Sequence, residues 1–381
     1  MHRHRHFLRT ALVAVVSSGV AFGTCILCDQ KEGQEDECHF KARIVAHVTG
    51  PALDDVVWLG PQSTAFVWSE SQGTFIQEIE RSPKRSLPFR CEVGLALAGD
   101  ELICGAKEQG KGGRIWAIHK VGSVNALQLE LVADGVGPQS RGIDAARIGE
   151  RRIVAWRSGD RSDSAIWMAD GRKPPLRLSG LGTMVSRPSV LLDRNAKAMV
   201  AWSEGWFDGN ALRASLRLWR DGEALQLEPL SILEAQPELA ALPSGAVALV
   251  FRDERIPKER AHAILRIFDH GIGFAPEDGP PCNAKGEALV LPCFGAIGVV
   301  APRTHSRAER VVGVRFYHPH TLKPITRPRS LYVHGLALEH VDARCQGDVL
   351  ELIAASAPTV KRSTGAIVYA TMRCPQLEGL P

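Results

Sequence analysis

The stretch "KAMVAWSEGW" (197–206) decides the fold, because less exact copies of the same sequence pattern recur along the chain. They read "STAFVWSES" (63–71), "RRIVAWRSG" (151–159) and "GAVALVFRDE" (245–254). Each is preceded by a second short apolar run, and Gly, Asp, Asn or Pro joins the two. Two alternating runs joined through such residues are typical of a β-hairpin.

The hairpin occurs seven times, at 56–68, 93–105, 143–156, 188–202, 237–251, 287–301 and 341–355. A third alternating segment follows each copy, and the second strand recurs about every 50 residues, which is the period of a propeller blade. A small sheet with two apolar faces can bury both only by stacking against neighbours around an axis. The sequence therefore predicts an all-β, seven-bladed β-propeller, with a β-sandwich as the structural alternative.

The end of the chain predicts how the ring closes. After its third segment the last copy has only "CPQLEGLP" (374–381), which offers no fourth strand. Near the start, "KARIVAHV" (41–48) places Ala42, Ile44, Ala46 and Val48 on one face of a strand. We expect this N-terminal strand to complete the last blade and to cover its open edge.

Residues 1–24 read as a signal peptide, with a cationic start, a short apolar run and small residues after it. Cleavage follows either an ordinary leader site at Ala21 to Gly23 or the lipobox-like "FGTC" before Cys25. The nine cysteines favour lipidation of Cys25, because an even eight then remain for disulfides. Residues 25–39 would form a lipid-anchored or flexible tether, and residues 40–381 a single propeller domain. The expected location is extracytoplasmic, in the periplasm or at the outer membrane or cell surface.

Ring closure also predicts the disulfides. An outer strand antiparallel to residues 365–373 starts beside the end of that segment, so Cys38 should meet Cys374. Cys91 and Cys104 flank one hairpin and should bridge it. Cys345 is then paired with Cys28, because these two cysteines are left over. The pairing of Cys282 with Cys293 is a guess.

Charge and motifs exclude several function classes. Without the three arginines of the leader, 43 of the 46 basic residues remain, against 42 acidic ones. This near-neutral balance argues against a nucleic-acid partner. "GAKEQGK" (105–111) lacks the Ser or Thr and the following helix of a phosphate-binding loop. We expect no cofactor, no metal, contact with a membrane only through the lipid anchor, and a monomer.

Function is to be sought in the loops between second and third strands, because these emerge together around the mouth of the propeller channel. They mix acidic, basic and aromatic side chains. Trp206 and Phe207 form an apolar pair in a polar loop and either anchor that loop or contact a ligand. The candidate binding residues of this rim are Glu70, Arg161, Glu204, Trp206, Asp208, Arg252, Asp253, Glu254, Arg303 and His305.

The "VAWSE" and "FVWSE" phrases resemble those of bacterial sialidase-like propellers with neuraminidase repeats. The Asp box of that family, S-x-D-x-G-x-x-W, is missing, and "RDGEALQ" (220–226) is its nearest counterpart. The resemblance implies a carboxylate clamp of three arginines and a tyrosine nucleophile beside a glutamate, and neither can be assigned to residues of this chain. We therefore predict a non-catalytic binding module for a protein or glycan. A sialidase-like glycoside hydrolase and a structural subunit of an envelope assembly are the alternatives.

Overall fold

The computed structural model describes residues 38–49, 53–60, 62–80, 83–107, 113–119, 127–136, 142–159, 163–233, 235–253, 262–268, 288–304, 310–357, 364–374 and 377. Only the backbone is described for residues 54, 135, 262, 263, 303 and 304. Over these residues the chain forms seven antiparallel sheets, which are the seven predicted blades. In the part described, no helix has the length and apolar character needed to cross a membrane.

The first strand of each blade lies next to the central axis: β2 (Leu53–Trp58), β6 (Gly94–Ala98), β10 (Ile143–Ile148), β15 (Ser189–Leu192), β19 (Glu238–Ala241), β22 (Leu289–Cys293) and β26 (His340–Gln346). The second strands are β3 (Ala65–Glu70), β7 (Glu101–Ala106), β11 (Arg151–Gly159), β16 (Ala198–Asp208), β20 (Val247–Asp253), β23 (Ala296–Thr304) and β27 (Val349–Ser356). These pairs are the seven hairpins of the sequence, so the propeller prediction is confirmed.

The third strands are β4 (Gly73–Glu78), β8 (Gly113–His119), β12 (Ser164–Asp170), β17 (Ala211–Arg220), β21 (His262–Phe268), β24 (Arg310–Tyr317) and β28 (Gly365–Arg373). The outer strands are β5 (Arg85–Ser86), β9 (Gln128–Val136), β13 (Leu176–Arg177), β18 (Glu223–Leu230), β25 (Arg329–Leu331) and, in the seventh blade, β1 (His39–Val48). A short strand, β14 (Met184–Val185), also pairs with β16. Blade 5 has three strands among the residues described.

The second strands explain why the repeated phrase is so apolar. β3 and β7 are buried over all their residues, because each blade is covered by a neighbour on both faces. One apolar cluster, for example, joins Trp58 and Trp68 of blade 1 to Ile353 and Ile367 of blade 7. The core of the protein is therefore a ring of interfaces between blades, as expected for stacked sheets.

The N-terminal strand closes the ring as predicted. β1 pairs antiparallel with β28, and Ile44 lies opposite Val368. One detail of the prediction is wrong, because Ala42, Ile44, Ala46 and Val48 do not share one face. A β-bulge between Ile44 and Ala46 reverses the alternation, so Ala42 packs toward blade 6 and Ala46 toward blade 1.

Three disulfides are described, and two of them confirm predicted pairs: Cys38 with Cys374 and Cys91 with Cys104. The third joins Cys293 to Cys345 and corrects the two remaining pairs. Both cysteines lie in the inner strands of neighbouring blades, which converge near the axis, and their Cα atoms are 5.4 Å apart. The predicted pairs were wrong because Cys28 was assigned only as the cysteine left over, and because no pairing between the inner strands of neighbouring blades was considered. The partners it had assigned, Cys28 and Cys282, lie outside the described residues.

Candidate functional site

Three of the predicted rim acids are buried hydrogen-bond acceptors between blades. Each ends the second strand of its blade or lies close to that end, and only 0 to 6% of the residue is exposed. Each accepts a backbone N–H that follows the outer strand of the preceding blade. The pairs are Glu70 with Thr49 (2.9 Å), Glu204 with Gly180 (3.1 Å) and Asp253 with Ser231 (2.9 Å). We call Glu70, Glu204 and Asp253 the rim latches.

Glu204 makes the most extensive of these contacts. Besides the Gly180 N–H, it accepts a hydrogen bond from Trp202 Nε1 at 3.2 Å and faces Arg217 Nε at 3.4 Å. Arg217 in turn lies 5.5 Å from the centre of the Trp206 ring. A carboxylate held by two hydrogen-bond donors and one ion pair is an organising group of the fold, and it ties the base of the β16–β17 hairpin to blade 3.

That hairpin projects beyond the rest of blade 4. Its end consists of residues 206–213, which we call the projecting hairpin. Trp206 pairs with Arg213 and Phe207 with Leu212 across the two strands. Trp206 is half-buried beside Arg217, whereas 67% of Phe207 and 49% of Leu212 are exposed. The two predicted roles of the aromatic pair are therefore divided: Trp206 helps to anchor the loop, and Phe207 faces solvent.

The base of the hairpin is closely packed. A Cβ atom at Gly205 would lie 2.1 Å from Leu233 Cδ1, so the absence of a side chain allows Leu233 to lie against the strand. The exposed Asp208 is 3.6 Å from Arg213 at the tip. Leu181, which is 85% exposed, lies in the neighbouring turn that leads to β14.

The other predicted rim residues are more dispersed. Arg252 is half-buried, and its Nη1 lies 3.5 Å from Gln236 Oε1 in the same blade. The backbone of Arg303 lies in β23, but its side chain is not described. The structure thus brings Glu204, Trp206 and Asp208 together on one strand and places Glu70, Arg252 and Asp253 in other blades. The predicted binding residues Arg161, Glu254 and His305, and the predicted lipidation site Cys25, lie outside the described residues.

The central channel contains a second set of carboxylates, which the sequence interpretation missed. A cavity of about 470 Å³ is lined by Asp55, Asp144 and Asp342, one from each of three inner strands. In each, one oxygen accepts the N–H of the following residue and the other accepts an N–H from the inner strand of the next blade. The inter-blade donors are Leu95 for Asp55, Val190 for Asp144 and Trp58 for Asp342.

Burial changes the acidity of two of these channel aspartates. It raises the pKa of Asp144 to about 6, against the opposing charge of Arg187. It also raises the pKa of Asp342 to about 6, and the negative charge of Asp55 acts in the same direction. Among the residues described, no group of three or more His, Cys, Asp or Glu side chains could hold a metal ion.

The tyrosines bear on the sialidase-like alternative, and all three are described. Tyr317 is buried in the core between blades 5 and 6. Tyr332 has its hydroxyl 3.2 Å from His334 Nδ1. Tyr369 donates a hydrogen bond to Glu351 at 2.8 Å, but burial and the Glu351 carboxylate raise its pKa. The pair lies within strands β27 and β28, where the Tyr369 ring packs edge-on against Trp58, so it is part of the interface between blades 7 and 1.

Comparison with known structures finds several chains that are similar in structure. The chain is similar to the polysaccharide lyase Uly1, with a TM-score of 0.52 and 8% identity over 91% of this chain and 94% of that one. It also matches the β-propeller domain of the Trilobed protease from Pyrococcus furiosus, with a TM-score of 0.49 and 10% identity over 81% and 92%.

A sialidase from Trypanosoma rangeli is a further match, with a TM-score of 0.48 and 10% identity over 85% of this chain and 58% of that one. No family model and no curated protein matches the sequence. At such low identities the structural matches show the fold alone.

Proposed function

We propose that this protein is an exported, lipid-anchored β-propeller that acts as a non-catalytic binding module for a protein or glycan. The projecting hairpin makes the contact, and the protein works as a monomer. One observation carries the proposal: the rim latches hold neighbouring blades together, while among the described rim residues exposed apolar side chains lie on the projecting hairpin (Phe207 and Leu212) and in the turn beside it (Leu181).

The exposure of the hairpin supports a binding role. Phe207 and Leu212 lie opposite each other on two strands and leave about half or more of their surface in water. Exposed aromatic side chains flanked by polar residues are typical of protein contact sites. The packing of Leu233 against Gly205 supports a hairpin with a fixed orientation, which lowers the entropy lost on binding.

The hydrogen bonds made by the rim latches favour a binding role over hydrolysis. A glycoside hydrolase needs two carboxylates facing one substrate, or a tyrosine activated by a glutamate. Glu70, Glu204 and Asp253 instead accept hydrogen bonds from the neighbouring blade. Tyr369 and Glu351 lie within the sheet of blade 7, where Tyr369 packs against Trp58 of blade 1.

The location rests on the leader, on Cys25 and on the disulfides. Three disulfides are consistent with an oxidising compartment. Cys25→Ala should move the protein from the detergent phase to the aqueous phase in Triton X-114 partitioning. An unchanged distribution would contradict lipidation and leave a freely secreted protein.

The binding role is tested with the mature protein and a cell-envelope extract. Phe207→Ala should reduce capture of a specific ligand from the extract. Leu129→Ala provides the matched control, because Leu129 is 50% exposed on the outer strand of blade 2. Equal capture by both variants would contradict the assignment of the contact to the hairpin.

The same protein is then offered a panel of fluorogenic glycosides. We expect no turnover above the blank. Turnover that is abolished by Asp253→Asn in a correctly folded protein would contradict the non-catalytic proposal and establish the hydrolase alternative.

A further inference from the structure

The free edge of the projecting hairpin bears on what kind of ligand it binds. β17 pairs with β18 only from Ala214 onward, where Ala214 lies opposite Leu230. Within the described part of the chain, no strand pairs with the outer edge of residues 211–213. This short edge is solvent-exposed and continues a well-paired sheet. Unpaired edges of this kind accept an additional strand through main-chain hydrogen bonds.

The two faces of the hairpin differ in chemistry. Successive side chains of a strand point to opposite faces. Phe207 and its cross-strand partner Leu212 share one face with Gly205, which contacts Leu233, so this face is apolar. Trp206 and Arg213 share the other face.

The Trp206 face carries two arginines, and each lies close to an acid. Arg217 lies over the Trp206 ring, and 61% of the Arg213 side chain is exposed. Arg217 lies 3.4 Å from the buried Glu204, and the more exposed Arg213 lies 3.6 Å from Asp208.

The geometry points to a partner that adds an extended strand to the edge of residues 211–213 and alternates acidic with apolar side chains. Its apolar side chains would extend the face of Phe207 and Leu212, and its carboxylates would compete with Asp208 for the exposed Arg213. This inference rests on the proposed binding function and specifies a protein partner. A glycan would use the Trp206 ring and the arginines but would leave the main-chain edge unused.

The test uses the mature protein and a short labelled peptide that alternates Glu and Val, with binding measured by fluorescence anisotropy. A peptide of the same composition, with Glu and Val in separate blocks, is the first control. We expect the alternating peptide to bind about tenfold more tightly. Only an alternating strand presents its valines to the face of Phe207 and Leu212 and its glutamates to the opposite face. Equal affinities would overturn the inference.

Main-chain pairing has its own signature. Two peptides are N-methylated on alternate residues, one on the odd and one on the even positions. Only one set of amides can face the hairpin, so one peptide should lose about tenfold in affinity and the other should bind as before. If both bind equally well or both fail, strand addition is refuted.

Arg213→Glu tests the charge. The variant should bind the Glu and Val peptide about tenfold more weakly and should gain affinity for an alternating Lys and Val peptide, which also shows that it is folded. Trp206-dependent binding of oligogalacturonate without peptide binding would assign a glycan and overturn the inference. If no peptide binds but Phe207→Ala still reduces capture from the extract, this inference fails and the proposed function stands.

Discussion

Glu204→Ala tests the rim-latch interpretation most sharply. The substitution removes the acceptor for the Gly180 N–H and for Trp202 Nε1, and it leaves Arg217 without its carboxylate. Each buried donor that loses its acceptor costs about 1 to 3 kcal/mol of unfolding free energy, and here the donors are the Gly180 N–H and Trp202 Nε1. Because 26% of the Arg217 side chain is exposed and can recover water contacts, we expect a loss of about 3 kcal/mol.

Asp208→Ala is the matched control, because Asp208 lies on the same strand and is 67% exposed. Its contact with Arg213 is a surface ion pair, so the expected loss is less than about 1 kcal/mol. Urea unfolding followed by tryptophan fluorescence measures both. Equal midpoints for the two variants, or a Glu204→Ala protein as stable as the wild type, would refute the view that Glu204 stabilises the fold.

Two further predictions concern the closure and the channel. Replacing Cys38 and Cys374 with Ser should cost about 6 kcal/mol in guanidinium unfolding, because this disulfide spans 336 residues, against about 3 kcal/mol for the hairpin disulfide of blade 2, which spans 13. An equal loss for the two would argue against a ring closed by β1. Asp144 and Asp342 have folded pKa values of about 6 against a usual 3.8, so the folded state binds more protons between these values and stability falls as pH rises through this window. Each should make the protein about 1 kcal/mol more stable at pH 5 than at pH 7, and Asn at both positions should remove this difference in thermal or urea unfolding; an unchanged pH profile would contradict the assignment.

The sequence predicts the elements that depend on local pattern. The seven hairpins, the closing strand and the Cys38 to Cys374 disulfide follow from two-residue alternation and from the number of strands in a blade. The bulge near Ile44 does not follow, because it depends on how the strand fits two different neighbours. The Cys293 to Cys345 disulfide depends on the approach of two blades at the axis, which no local pattern encodes.

The candidate site was harder to predict for the same reason. Glu70 and Glu204 follow serine at strand ends, and the pattern indicates only that they lie at the rim. Whether such an acid faces water or a backbone N–H is decided by the preceding blade. The channel aspartates did leave a signal, since "LDDVVW", "IDAARI" and "HVDARC" each place an aspartate near the start of an inner strand.

The assignment of all rim loops to one face depends on the closed ring, and peptide mapping under non-reducing conditions tests that closure directly. The structure predicts one linked fragment that joins Cys38 to Cys374 and another that joins Cys293 to Cys345. A fragment that links Cys345 to Cys374, or Cys38 to any other cysteine, would contradict the closed seven-bladed ring.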